Sequence, residues 1–201
     1  MNNSLPVSIH TEHMNLPRLT FAYPQVYGLA NLNAQRQINH AIQQLVHQMI
    51  VDSGYYEGPS TDVTGTYEVK TNERGVLSLA LIIYWFSGGA HGMTVIKSLT
   101  FNVETGKSYT LAELFKPGSN YQRVLSAMVE AQIKERQIPL LDKFPGVKAD
   151  QDFYIADKSL VLYYQLYELA AYVYGILYFP ISVYAIQNII DENGPLGMML
   201  Y

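Results

Sequence analysis

His91 lies in the most conspicuous short motif of the chain, Ser87-Gly88-Gly89-Ala90-His91-Gly92. An imidazole in such a loop can act as acid, base or ligand, and glycines beside it let backbone approach a bound molecule closely. On that reading Gly88, Gly89 and His91 are candidate binding residues. The same glycines also suit a plain turn between strands, because they take positive φ without steric cost. The loop does not read as a phosphate cradle, since strand formers rather than a helix N-terminus follow it. The other histidines do not spell a metal site. His10 and His13 lie three apart on a predicted strand and so face opposite ways. His40 and His47 share a helix face but sit two turns apart, roughly 10 Å, too far to hold one ion. No HExxH, EF-hand, Walker or G-x-S-x-G pattern occurs, which leaves metalloprotease, calcium, nucleotide and serine-hydrolase chemistry without a motif. There is no cysteine, so disulfides, thiolate catalysis and cysteine-held metals are excluded. No metal or cofactor is expected. The acid pairs Asp150 with Asp152, and Asp191 with Glu192, read as solvated ends or caps.

Tyrosine is the unusual component, with 17 copies. Tyr154, Tyr163, Tyr164, Tyr167, Tyr172, Tyr174, Tyr178 and Tyr184 fall close together. On a strand running to residue 167, Tyr163 and Tyr167 share a face with Val161, and Tyr164 joins Leu160 and Leu162. One reading is an aromatic recognition surface for protein or glycan. The other is ordinary filling of a half-buried pleat. Glu168, set among these rings, is either a hydrogen-bonded core acid or a specificity contact. Tyr163, Tyr167, Glu168 and Tyr172 therefore join the candidate binding residues.

The elements that must position these groups follow from periodicity. Val7 to His13 alternates apolar and polar, and Leu19 to Val26 is rich in strand formers around Pro24. Asn31 to Asp52 carries Ile38, Ile42, Leu45 and Met49 at helical spacing, with Asn33 as N-cap and Gly54 as stop. Asp62 to Thr71 alternates, Asn72 to Gly75 turns, and Val76 to Phe86 is apolar on both faces, as a covered central strand is. Thr94 to Val103 continues the meander, and Glu104-Thr105-Gly106-Lys107 closes it with a hairpin-type turn. Sequential strands of this kind usually pair antiparallel. Leu111 to Phe115 is a helical turn. Asn120 to Gln137 is a second helix with Tyr121, Val124, Leu125 and Met128 on one face, stopped by Pro139. Asp152 to Ile155, Leu160 to Tyr167 and Tyr172 to Phe179 read as strands, and Ser182 to Ile190 as a short closing helix. The expected class is α+β: antiparallel meander sheets, two longer helices and a short C-terminal helix. Two lobes, 1–110 and 111–201, are one division of it and a single compact unit the other.

The bulk numbers bound the function. A chain of 201 residues buries about 70% of its unfolded surface and needs no staples. Hydrophobic residues make up 49% and charged residues 15%, which points to large buried or partner surfaces. The net charge is -4 and no Lys/Arg run occurs, so nucleic acid and anionic membrane are poor partners. Met1 to His10 has no basic residue or apolar core, and the longest apolar run is too short to cross a bilayer. As written the chain reads as cytoplasmic, and as extracytoplasmic if an export segment has been removed.

Phe86-Ser87-Gly88-Gly89-Ala90-His91-Gly92, Phe101-Asn102, Thr105-Gly106-Lys107, Leu111 to Phe115, Phe153-Tyr154-Ile155 and Tyr167-Glu168 with Gly175 together resemble the RsiV-like domain family. That family includes the extracytoplasmic domain of a lysozyme-sensing anti-sigma factor, domains that accompany a peptidoglycan deacetylase, and relatives of unknown function. The resemblance implies a non-enzymatic binding module with lysozyme, another envelope protein or peptidoglycan fragments as partner. This chain departs in having Ala171 where proline is expected. Two alternatives stand beside it: a structural protein self-associating through the apolar tail Leu196 to Tyr201, and a hydrolase using His91 with a carboxylate such as Glu168.

Overall fold

The computed structural model describes residues 6–58 and 60–200 and divides into two compact units, Asn2–Ser108 and Tyr109–Tyr201. In the N-terminal unit, β1 (Ser8–Leu16) and β2 (Leu19–Tyr27) form a hairpin. The helix α1 (Leu32–Asp52) then crosses to β3 (Asp62–Glu73), which pairs parallel with β2 at Leu19–Phe21. β4 (Val76–Phe86) and β5 (Met93–Asn102) complete an antiparallel meander, giving one mixed sheet in the order β1-β2-β3-β4-β5. The parallel pair is the feature periodicity did not show. A helix-length crossover is what two parallel neighbours need, and α1 supplies it.

The apolar stripe of α1, Ile38, Ile42, Val46, Met49 and Ile50, packs on Leu19, Phe21, Leu77, Leu79, Leu81 and Ile83 of the sheet. Its N-cap is Asn31, not Asn33. The Asn31 Oδ1 accepts from the backbone N–H of Asn33 and Ala34, satisfying two of the donors a helix start leaves open. The turn between β3 and β4 is also tighter than the four residues expected. Only Arg74 and Gly75 lie outside the strands, both at positive φ, as a two-residue hairpin requires.

In the C-terminal unit a one-turn helix at Ala112–Leu114 leads to α2 (Tyr121–Glu135). Its buried stripe is Leu125, Val129 and Ile133, so only Leu125 of the expected face is in the core. The strands β6 (Phe153–Ala156), β7 (Ser159–Tyr164) and β8 (Leu177–Ser182) form an antiparallel sheet in that order. α2 is tied to β8: Gln132 donates to the Pro180 carbonyl, Arg136 donates to that of Tyr178, and the Arg136 guanidinium lies 5.1 Å from the Phe179 ring centre.

Three expected elements are placed differently. β7 ends at Tyr164 rather than Tyr167, and Tyr172–Tyr174 is a one-turn helix, not the start of a strand. Of the helix expected over Ser182 to Ile190, only one turn forms, at Val183–Ala185, between the end of β8 and further turns. Ile190 bridges Phe115, with flanking backbone bonds from Lys116 to Ile189 and from Asp191 to Leu114. The short C-terminal helix is α3 (Pro195–Met198). Leu196 and Met199 are fully buried, so these apolar side chains complete the unit's own core and are not a free surface for a neighbouring copy. Tyr201 lies outside the described residues. No helix among the described residues is long and apolar enough to cross a membrane.

Candidate functional site

The expected site residues fall in two places. Gly88, Gly89 and His91 belong to the β4–β5 loop of the N-terminal unit, and Tyr163, Tyr167, Glu168 and Tyr172 to the C-terminal unit. Ser87 to His91 is exposed throughout. Gly88 and Gly89 take φ of 94° and 100° with open space where a Cβ would stand. His91 Nδ1 lies 3.0 Å from the Gly92 carbonyl oxygen, and Thr61 Oγ1 is 2.9 Å from Ser87 Oγ. Gly92 has a packing role: a Cβ there would fall 2.4 Å from the Tyr84 ring. Among the described residues no three His, Asp or Glu side chains converge.

The C-terminal candidates divide by burial. Tyr163 and Tyr164 are both 0% exposed on opposite faces of β7. Tyr163 is therefore a core residue, its ring 5.8 Å and 6.0 Å from those of Tyr154 and Tyr178. It does not share a face with Tyr167, because the chain has left the strand by then. Tyr164 packs edge-on against Phe179 and Phe144. What reaches solvent is the β7–β8 loop: Tyr167 is 47% exposed, Val173 82% and Tyr174 49%, with the Tyr167 and Tyr172 ring centres 5.6 Å apart.

Local polar contacts hold this loop. Gln165 to Glu168 is a β-turn closed by the bond from Glu168 N–H to the Gln165 carbonyl. The Glu168 carboxylate accepts from Gln165 N–H at 2.9 Å through one oxygen and from Lys148 Nζ at 3.0 Å through the other. Gln165 Nε2 donates to Asp152. The third residue of the turn, Tyr167, has φ of 64°, where a bulky side chain carries strain of about 1–2 kcal/mol. Strain persists where surroundings over-determine it, and the Glu168 contacts and the Tyr172 ring are among those surroundings here. Glu168 is thus a hydrogen-bonded acid, as one of the two readings has it, but half-buried rather than in the core. The Glu168 hydrogen bond and charge hold the Lys148 ammonium above its ordinary pKa.

Burial, reinforced by the Glu168 charge, pushes the Tyr164 phenol above its ordinary value near 10. Above about pH 10 the unfolded chain ionises this group while the folded chain keeps its proton. Stability therefore falls as pH rises past that point. Tyr164→Phe removes the effect. In urea titrations at about pH 8 and pH 10.5, the stability of Tyr164→Phe relative to the parent is expected to rise with pH. A pH-independent difference would show that Tyr164 ionises as freely when folded.

A family described as "Protein of unknown function (DUF3298)" matches residues 112–184, and one described as "Deacetylase PdaC" matches residues 11–94. The anti-sigma-V factor RsiV of Bacillus subtilis is 26% identical over 183 residues, covering 83% of this chain. Together these matches support a place for the chain in an RsiV-like domain family. It spans 63% of the length of that relative. Two crystal structures share the fold of this RsiV-like chain. A DUF3298 family member from Bacteroides fragilis has a TM-score of 0.73 at 12% identity and covers 98% of this chain and 99% of its own. A DUF3298 family protein from Pseudomonas aeruginosa has a TM-score of 0.67 at 16% identity, covering 96% and 97%. Both confirm the α+β class.

Proposed function

We propose that this RsiV-like chain is a non-enzymatic recognition domain acting outside the cytoplasm, and that its β7–β8 loop docks on a cell-envelope protein, with lysozyme the first candidate. The observation that carries this is the presentation of Tyr167, Val173 and Tyr174 to solvent on a loop held by the Glu168 contacts. Exposed apolar and aromatic side chains are hydrated at an entropic cost, which is relieved when a partner covers them. A loop ordered before binding spares the entropy of ordering it afterwards. Tyr and other aromatics are the usual anchors of such interfaces. The relationship to an anti-sigma factor supports sensing over turnover.

Calorimetric titration with a c-type lysozyme tests the reading. Saturable one-to-one binding, with inhibition of lysozyme, is the expected result. No heat and no inhibition would remove lysozyme as the partner.

A further inference from the structure

Between α2 and the segment 140–146 lies a groove of about 580 Å³, within the range of small-molecule sites. Ile133 is buried in it and Leu140 and Phe144 are half-buried, so its inner lining is apolar. Its charged lining is Glu130, Lys134 and Lys143. Glu130 and Lys134 neutralise one another as an i,i+4 pair at 3.1 Å. Lys143 has no carboxylate partner among the described residues. An apolar lining with one uncompensated cation complements an apolar body bearing one negative charge.

The segment spanning the groove is tied at both ends. On one side Leu140 bridges Ala170, and Leu141 N–H donates to the Leu169 carbonyl at 2.9 Å. On the other, Val147 N–H donates to Ser126 Oγ of α2, and Lys148 reaches Glu168. Gly146, at φ of 89°, allows the close approach to Ser126. Both ends thus lead into the chain that carries the exposed aromatics, Leu169–Ala170 directly and Glu168 through Lys148.

We propose that this groove binds a small amphipathic anion, an apolar body with a single carboxylate beside Lys143, and that its occupancy shifts the β7–β8 loop. The biological meaning of that coupling rests on the loop being a docking surface, whereas the site and the coupling do not. The test uses the full chain, labelled for amide and methyl NMR, titrated with hexanoate and separately with hexylammonium. Hexanoate is expected to give saturable shifts at Ile133, Leu140 and Gly146. The Leu169 and Ala170 amides are expected to move with the same midpoint. Lys143→Glu, an exposed charge reversal, is expected to weaken that midpoint about tenfold with the rest of the spectrum unchanged. No saturation by hexanoate, equal saturation by hexylammonium, or an unchanged midpoint in Lys143→Glu overturns the site. Groove shifts with unmoved Leu169 and Ala170 overturn the coupling. No lysozyme is present, so failure here is separate from failure of the docking reading, which the calorimetry reports.

Discussion

Gly106→Ala is expected to destabilise the N-terminal unit by about 3 kcal/mol. Gly106 sits at φ of 79° in the turn after β5, and a Cβ there would stand 2.5 Å from Gln37 Oε1 and 2.8 Å from Ala34 Cα. The backbone of α1 cannot give way cheaply, and the left-handed conformation adds its own cost. The surroundings of the turn are equally committed. Asn102 Oδ1 accepts from the N–H groups of Glu104 and Thr105, and Asn31 Nδ2 donates to the Glu104 carbonyl while its Oδ1 caps α1. One asparagine therefore anchors both the helix start and the turn that lies against it. Thermal and urea unfolding followed by circular dichroism give the readout, with a melting temperature lowered on the order of 10 °C. Gly88→Ala is the control. It has positive φ but open space around it, so about 1 kcal/mol is expected. Gly106→Ala within about 0.5 kcal/mol of the parent would show that the turn moves freely off the helix.

The second large effect is on binding. Val173→Asp combined with Tyr174→Ala is expected to weaken lysozyme binding at least about a hundredfold, the size of one lost hot spot. Val173 and Tyr174 are exposed, so stability should stay within about 0.5 kcal/mol of the parent. Tyr184→Ala provides the comparison. Tyr184 is 48% exposed but is bonded to Lys158, which lies in the β6–β7 turn at the opposite end of the sheet from the β7–β8 loop. Its loss should leave affinity unchanged. Equal weakening by Tyr184→Ala would mean that any exposed ring serves, and the loop would lose its special standing.

These two predictions give the family motifs different physical meanings. Asn102 and Thr105-Gly106-Lys107 form a self-bonded turn seated on a helix, which is a requirement of the fold. Tyr167-Glu168 is a strained turn held by a carboxylate, which presents side chains. In the glycine loop, Gly92 packs under Tyr84, while a Cβ at Gly88 or Gly89 would stand in open space. His91 and Glu168 lie in different units.

Much of the architecture was determined by local sequence. The stripe of α1, the meander β3-β4-β5 and the existence of α2 follow from period and turn chemistry, because each depends on neighbours a few residues away. Tertiary structure alone decided the rest. The parallel pairing of β2 with β3 depends on where α1 packs. Tyr163, Tyr164 and Tyr167 are the same residue type within five positions, yet two are wholly buried and one is exposed. Tyrosine carries both an apolar ring and a polar hydroxyl, so it tolerates either setting, and period alone could not say that the strand stops at Tyr164. What stops it is the turn closed by Glu168, whose partner Lys148 comes from 20 residues away. The tail from Leu196 looked like a docking surface because apolar sequence records a need for burial, whereas the folded chain decides what meets that need, and here it is the tail's own unit.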